Sequence, residues 1–339
     1  MIANEQQLED LLSEPSPADA DAMCEMQGDL LILGIAGKMG PSLAKRARRA
    51  SQQARISRRI IGVARFSDPA VRQELNRADI ETLRADLLAP GALAKLPDAP
   101  NVLFMAARKF GSTGNEHLTW AMNTLLPALV AERYPTSRIV AFSTGNVYPF
   151  VPVDLGGATE ETPPGPVGEY AQSALGRERM FQFFSERHHT PVMLLRLNYA
   201  IDLRYGVLLD IGQKVFERRP IDLAMGHVNV IWQGDANSVA LRSFALAQSP
   251  PAVLNLTGPE TVAVRWIARR FGERFGVEPI LEGTESATAL LSNAARCYKL
   301  FGYPSVTVEQ MIEWVAGWVG MGGSTLAKPT HFEARDGRF

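Results

Sequence analysis

The stretch that decides the fold is Leu30-Leu-Ile-Leu-Gly-Ile-Ala-Gly-Lys-Met-Gly40, an apolar run followed by a turn with three glycines. A short, fully apolar run is typical of a parallel strand that is buried on both faces. The glycines allow a tight turn and a close approach of backbone to a phosphate, and a helix beginning here offers free N–H groups to it. A glycine turn without any ligand is the alternative, which the clean strand ahead of it disfavours. The residues predicted to hold a dinucleotide are Gly34, Gly37, Lys38, Met39 and Gly40.

Strand and helix patterns alternate after this unit. This alternation predicts β-α-β units, and hence an α/β fold with a doubly wound parallel Rossmann sheet. The predicted strands are 60–64, 81–87, 102–106 and 138–143, and the predicted helices include 42–50 and about 116–133.

Pattern changes divide the chain into four parts. Residues 1–28 show short amphipathic helical patterns and predict a helical extension ahead of the Rossmann domain, which is predicted over 29–199. Alternation weakens after Tyr199, so 200–320 are predicted to be mainly a smaller C-terminal substrate-binding lobe, with parts that return to the sheet. The polar, glycine-rich residues 321–339 are predicted to be an extended tail.

Composition narrows the class of partner. The formal net charge is -1 over 339 residues, so no overall field favours nucleic acid or an anionic membrane. Cys24 and Cys297 lie far apart, and neither they nor the histidines have the spacing of metal ligands, so we expect no metal and a reducing, cytoplasmic location. We expect a small-molecule substrate, with no nucleic-acid or membrane partner, and a homodimer is possible.

The end of the second predicted strand bears on the cofactor. It reads Val63-Ala-Arg-Phe66, without the acid that usually binds the adenosine ribose 2′-hydroxyl. Arg65, helped by Lys38, could instead bind a 2′-phosphate, which favours NADP while leaving NAD possible. The alternative is a solvated surface arginine. Asp86 could accept from the adenine amino group, or could simply cap a turn.

Two later segments complete a recognisable pattern: Arg138-Ile-Val-Ala-Phe-Ser-Thr-Gly-Asn-Val-Tyr148 and Glu169-Tyr-Ala-Gln-Ser-Ala-Leu-Gly-Arg-Glu178. With the glycine turn, and with further matching pieces at 195–199, 230–235 and 254–259, they resemble the extended short-chain dehydrogenases/reductases, the NAD-dependent epimerase/dehydratase family. The resemblance covers roughly residues 29–320.

The resemblance implies a chemistry and its residues. Tyr170 would exchange a proton with the substrate during hydride transfer, and Thr144, chosen over Ser143 by counting back from Tyr148, would orient the reacting oxygen. Ala106 and Ala107 would lie at the nicotinamide ribose, and Asn123 near the active site, where a helix-surface amide is its alternative. The residues that would face the substrate are Asn146, Asn198 and Arg204, the last of which could instead form a surface ion pair.

One position departs from the family. A lysine four residues after the tyrosine normally lowers the tyrosine pKa from its usual ~10, and here that position is Ala174. Another cation could substitute, with Arg108 or Lys109 favoured over Arg177, which lies two helical turns from Tyr170. The protein could instead use another base, or could have lost redox chemistry and kept binding.

Two functional readings remain open at this point. One is an NADP(H)- or NAD(H)-dependent oxidoreductase or epimerase acting on a carbohydrate-like hydroxyl or ketone. Gly145 and Asn146 after Thr144 disfavour a dehydratase of the Asp-Glu type. The other is a redox-inactive NAD(P)-binding sensor or scaffold, with Ala174 marking the lost catalysis.

Overall fold

The structure, a computed structural model, describes residues 2–109, 111, 113–328 and 330–337. The helices of this part of the chain are α1 Glu5–Ser13, α2 Pro17–Glu25, α3 Gly40–Gln53, α4 Pro69–Arg77, α5 Glu116–Trp120, α6 Leu126–Arg133, α7 Gly168–His188, α8 Val207–Phe216, α9 Gln233–Arg242, α10 Val264–Phe275, α11 Ala295–Phe301 and α12 Val308–Gly320. Its strands are β1 Leu30–Leu33, β2 Ile60–Ala64, β3 Glu81–Arg84, β4 Asn101–Phe104, β5 Arg138–Thr144, β6 Val151–Pro152, β7 Val192–Leu197, β8 Ala200–Ile201, β9 Ile221–Asp222, β10 His227–Val228, β11 Ile231–Trp232, β12 Ala252–Leu256, β13 Val262–Ala263, β14 Leu281–Glu282 and β15 Thr288–Ala289. Among these helices, none is both long and apolar enough to cross a membrane.

Seven parallel strands form the central sheet in the order β12-β7-β5-β4-β1-β2-β3. The chain starts in the middle, at β1, and fills one side through β2 and β3 before crossing to β4 on the other. The carboxyl ends of β1 and β4 therefore adjoin where the direction of winding reverses, which is where open α/β sheets bind their ligands. The predicted doubly wound α/β fold is confirmed.

Alternate residues of β1 supply two separate cores. Leu30 and Ile32 pack with Leu43 of α3 on one face of the sheet. Leu31 and Leu33 pack on the other face with residues of α6 and α7 such as Phe181. Both faces of this strand are buried, which is why its sequence is apolar without alternation.

Three predicted elements differ in detail. The third strand ends at Arg84, because Asp86 starts a turn by accepting from the Leu88 N–H (3.1 Å). The single helix predicted over 116–133 is interrupted by a π-helical turn, Ala121–Leu125. The fourth strand spans Asn101–Phe104 and ends two residues before the predicted Ala106.

A third core lies beyond the sheet, in a lobe where α8, α10 and α12 pack together. Leu8 and Leu12 of α1 join this core from the N-terminal side, and Phe332 joins it from the C-terminal segment. The tail is thus folded back against the lobe, with Thr330 and Phe332 both buried.

The N-terminal helices are fixed to the Rossmann domain by a buried ion pair. The Asp19 carboxylate of α2 accepts from Arg46 of α3 (2.9 Å) and from the Ser238 hydroxyl of α9 (2.6 Å). Glu9 of α1 forms ion pairs with Lys45 (2.8 Å) and Arg204 (2.6 Å). The extension therefore connects helix α3 to the lobe.

Candidate active site

The glycine turn lies against the end of β4. Gly34 has φ +92°, and a Cβ on it would be 2.6 Å from the Ala106 backbone nitrogen. A side chain at residue 34 would push the turn away from the strand that is predicted to meet the nicotinamide ribose. No side chain caps the N-terminus of α3. The start of α3 is therefore arranged as an anion site should be.

Lys38, in the same turn, points toward the lobe. Its Nζ lies 3.1 Å from the centroid of the Tyr205 ring. Burial and, to a lesser extent, repulsion by Lys109 and Lys328 lower the Lys38 pKa to about 6, and Asp210 opposes this shift. The turn and the lobe thus meet through the contact between Lys38 and the Tyr205 ring, beside other charged groups.

Tyr170 and Thr144 meet at the carboxyl end of β5. Thr144 is the last residue of this strand, and Tyr170 is the third residue of α7. Their side chains are hydrogen-bonded. Thr144 Oγ1 also accepts from the backbone N–H and the Nδ2 of Asn146, both at 3.2 Å.

Ser143 faces away from this pair. Its hydroxyl donates to Glu178 (2.5 Å), which also forms an ion pair with Arg196 (2.7 Å). Arg196 in turn donates to the Tyr148 hydroxyl (2.7 Å). This buried network joins β5, α7 and β7, so Thr144 is the hydroxyl that faces Tyr170 and Ser143 serves the framework.

The candidate cations take different positions. Lys109 lies with its Nζ 5.6 Å from the centroid of the Tyr170 ring, whereas the Arg108 guanidinium turns away and donates to the Gly111 carbonyl (2.9 Å). Arg177 is buried beneath the site. Burial raises the Tyr170 pKa, and the Arg177 charge and the Thr144 hydrogen bond oppose this shift. Burial lowers the Lys109 pKa to about 8.

Asn123 lies on the π-helical turn. Its Oδ1 accepts from the Arg108 N–H (2.9 Å) and from Arg177 Nη2 (3.0 Å). Its Nδ2 donates to the Arg108 carbonyl (2.9 Å) and to the Ser173 hydroxyl (3.0 Å). Because both ends of the amide are fully used, Asn123 fixes the loop after β4 to α7 rather than presenting a free group to a ligand.

Two predicted substrate residues are occupied within the lobe. Arg204 forms a two-point contact with Asp202 (3.1 and 2.7 Å) in addition to its Glu9 ion pair. Asn198 is buried, and its Nδ2 donates to Asn229 (3.2 Å) and the Leu290 carbonyl (3.3 Å). We therefore leave both residues out of the proposed substrate contacts.

At the edge predicted to face the adenosine ribose, the residue after β2 is an arginine where an acid is usual. Arg65 is exposed directly after β2, and its carbonyl accepts from Arg84 Nε (3.1 Å) at the end of β3. Asp86 is also exposed, with one carboxylate oxygen used in its turn. Arg84 was not anticipated from the sequence, because the third strand was predicted to continue to residue 87 whereas it ends at Arg84.

Sequence analysis did not predict the residues of the lobe and the tail that lie near Tyr170. Tyr205 and Asp210 interact electrostatically with the groups around Tyr170, and Thr330 of the tail donates its backbone N–H to Asp210 (2.7 Å). Farther along, a Cβ built on Gly168 would lie 2.5 Å from the Gly337 carbonyl oxygen, so the tail crosses α7 two residues before Tyr170. A cavity behind this crossing is lined by Asn146, Tyr148, Phe150, Val167, Tyr199, Met225, Leu290, His331, Ala334 and Gly337.

The described part of the chain contains no cluster of three or more His, Cys, Asp or Glu side chains that could hold a metal ion. What it brings together are a glycine turn, a hydroxyl pair and flanking cations at the carboxyl edge of a parallel sheet. Such an arrangement suits dinucleotide binding and proton exchange at a substrate oxygen.

Comparisons with known proteins agree with this geometry. The solved structures similar to the chain include a mutant UDP-glucuronic acid 4-epimerase from Bacillus cereus in complex with a fluorinated UDP-sugar and NAD, with TM-score 0.72, 16% identity and coverage of 86% of this chain and 99% of that one. A UDP-glucose 4-epimerase from Thermotoga maritima with UDP-glucose has TM-score 0.70, 14% identity and coverage of 87% and 99%. A dTDP-glucose 4,6-dehydratase from Bacillus anthracis with NAD has TM-score 0.70, 16% identity and coverage of 87% and 97%.

At these identities the structural likeness speaks for the fold alone. No sequence among the curated proteins matches the chain. A sequence model of the NAD dependent epimerase/dehydratase family matches residues 30–200, half of the chain, including the glycine turn, Thr144 and Tyr170. The chain belongs to the NAD dependent epimerase/dehydratase family.

Proposed function

We propose that this protein is a nicotinamide-dependent oxidoreductase or epimerase that acts on a carbohydrate-like hydroxyl or ketone. The observation that carries the proposal is the hydrogen-bonded Tyr170–Thr144 pair, which lies at the carboxyl edge of the sheet that also carries the glycine turn. Family membership supports the assignment, because the family match over residues 30–200 includes both Tyr170 and Thr144.

In this proposal each side chain has one task. Tyr170 exchanges a proton with the substrate oxygen, and Thr144 holds that oxygen in place. The bound dinucleotide supplies the hydride acceptor or donor. Lys109 lies beside the Tyr170 ring and adds positive charge there below its pKa of about 8. The glycine turn and the uncapped start of α3 bind the pyrophosphate.

For the cofactor we propose NADP ahead of NAD. Arg65 directly follows β2, Arg84 is the last residue of the adjacent β3 and donates to the Arg65 carbonyl, and the acid expected for a free ribose 2′-hydroxyl is missing. Arginine pairs well with phosphate because its planar donors can form two parallel hydrogen bonds. The neighbouring structures named above that hold a dinucleotide hold NAD, so the preference is a property to be measured on this chain.

For the substrate we propose a sugar, sugar acid or sugar nucleotide. The neighbouring structures hold UDP-sugars in two of the three cases described. In this chain Asn146 stands between Thr144 and the cavity closed by the tail, so it is the residue we assign to the substrate side. We propose further that the protein works in the cytoplasm, and that a homodimer forms through α7, where Phe183 is 51% exposed.

Turnover tests the proposal. Sugars, sugar acids and sugar nucleotides are screened with NADP and NAD by following reduced nucleotide, and by product analysis for epimerisation. We expect Tyr170→Phe to lower turnover by about 100- to 10,000-fold, the usual contribution of a general acid–base. Tyr303→Phe, at a tyrosine that is 76% exposed, serves as the matched control and should leave turnover unchanged. Equal turnover in Tyr170→Phe and wild type would refute the assignment.

A second candidate is a redox-inactive NAD(P)-binding sensor or scaffold. The observation that favours it is Ala174, a buried alanine where the family's motif has lysine. Saturable dinucleotide binding without turnover of any substrate in the screen is the result expected of such a protein.

A further inference from the structure

Arg177 is a buried cation whose hydrogen bonds are to neutral groups. Its side chain lies on α7, and the residue is 3% exposed. Its Nη1 donates to the Phe142 carbonyl of β5 (2.6 Å) and its Nη2 to Asn123 Oδ1 (3.0 Å). Its Nε is buried without a hydrogen-bond partner. Among the described residues none forms a salt bridge with it.

Such a charge is costly to keep. Removing a guanidinium from water costs several kcal/mol unless an anion compensates for it. Glu178, the adjacent acid, is already engaged by Arg196 and Ser143. Among the described residues, Arg177 interacts electrostatically with Tyr170 as well as with Glu178, and the Tyr170 hydroxyl becomes an anion when it ionises.

The position of the family's lysine holds a small side chain in this protein. Ala174 is buried against Val147, Tyr148 and Ala158 and leaves the middle of this helix face without a long side chain. A side chain at residue 177 lies on the same face one turn later, and long side chains on a helix lean toward its N-terminus. From there the Arg177 guanidinium reaches under the end of β5, two residues before Thr144.

We propose that Arg177 is a positioning residue that has taken over from Ala174 the supply of positive charge to Tyr170, so that the cation has moved along α7 rather than disappeared. This rests on the proposed function of Tyr170 as the proton-exchanging group. It refines the sequence reading, which placed Arg108 or Lys109 ahead of Arg177.

The other charges around Tyr170 come from separate elements. Lys109 approaches the ring from the loop after β4. From the lobe, Tyr205 interacts electrostatically with Tyr170 and with Asp210, and Asp210 interacts with Lys109. Because the Lys109 pKa is about 8, Lys109 becomes neutral as the pH rises above about 8, toward the range in which Tyr170 ionises. An arginine keeps its charge through that range, even though burial lowers the Arg177 pKa.

The test measures the ionisation of Tyr170 itself. Tyrosine is labelled with ¹³C at Cζ, the Tyr170 resonance is assigned by its loss in Tyr170→Phe, and its pKa is titrated in wild type and in Arg177→Met. Methionine keeps the apolar stem of the side chain while removing the charge. We expect the Tyr170 pKa to rise by about one unit or more, a tenfold loss of tyrosinate at a given pH. Arg179→Met, at an exposed arginine two residues later, is the matched control and should leave it unchanged.

The double variant Ala174→Lys/Arg177→Ala returns the cation to the position that the family uses. We expect it to bring the Tyr170 pKa back toward the wild-type value, which a purely structural role of Arg177 does not predict. It also covers the case in which Arg177→Met fails to fold. A Tyr170 titration that is the same in wild type and in Arg177→Met, or one that moves only in Lys109→Met, overturns the proposal.

These outcomes are separable from the fate of the proposed function. If wild type turns over no substrate but the Tyr170 pKa responds to Arg177, the enzyme assignment fails and the relocated cation stands. If wild type is active and its alkaline pH–rate limb is unmoved in Arg177→Met, the enzyme stands and the relocated cation fails.

Discussion

Replacing Gly34 by alanine should weaken dinucleotide binding through a definable displacement. The new methyl group would lie 2.6 Å from the Ala106 nitrogen. Because favourable contact starts at about 3.5 Å, the turn must move away from β4 by about 0.9 Å. The φ of +92° adds about 1–2 kcal/mol of strain for any residue with a Cβ. Losing one backbone hydrogen bond to a charged phosphate costs about 1.5–3 kcal/mol, or roughly 10- to 100-fold in affinity.

The assay is a fluorescence titration with NADPH, together with thermal unfolding to confirm that Gly34→Ala is folded. Gly91→Ala is the matched control, because Gly91 also has a positive φ (+71°) but a Cβ there meets no atom within 4 Å. It should be somewhat less stable and bind NADPH normally. A folded Gly34→Ala protein with wild-type affinity would show that this turn does not hold the dinucleotide.

Three further predictions concern single side chains. Arg65→Ala should lower NADPH affinity by about tenfold or more while leaving NADH affinity unchanged, because only NADPH carries the 2′-phosphate; an equal loss for both would contradict this in the same titration. Burial lowers the Lys38 pKa to about 6, so NADH binding, which favours the ammonium form, should weaken as pH rises above about 6; Lys38→Met should be pH-independent over that range, and a persisting slope would refute the assignment. Asp19→Asn should lower the free energy of unfolding by about 3 kcal/mol, because it leaves the buried Arg46 uncompensated; Asp21→Asn, at an exposed position of the same helix, should be neutral in urea unfolding.

The features that sequence predicted well depend on local pattern. The apolar run and glycines of residues 30–40 fix a buried strand and a tight turn wherever they occur in a parallel sheet, and the fold and family they indicated are confirmed. The choice of Thr144 over Ser143 came from the resemblance to the family motif, and strand geometry adds that the two residues must face opposite sides. In the structure Ser143 meets Glu178 and Thr144 meets Tyr170.

The features that sequence could not supply depend on side-chain reach and on distant segments. Arg177 ranked behind Arg108 and Lys109 because its backbone is two helical turns from Tyr170, and the sequence did not show that its side chain is buried with a hydrogen bond to the Phe142 carbonyl of β5. Arg204 was predicted to face the substrate, but it pairs with Asp202 and Glu9. Glu9 lies 195 residues earlier in the chain, so no local pattern indicates this pair. The closure of the cleft by residues near His331 and Gly337 is likewise a tertiary contact without a local signal.

The Tyr170 pair and the glycine turn have a function together only if a nicotinamide dinucleotide binds between them. The most direct measurement is a titration of the purified protein with NADPH and with NADH, following nucleotide fluorescence. The account predicts saturable binding of both, tighter for NADPH, and roughly 10- to 100-fold weaker binding in Gly34→Ala. Absence of binding for both nucleotides by the folded wild-type protein would contradict it.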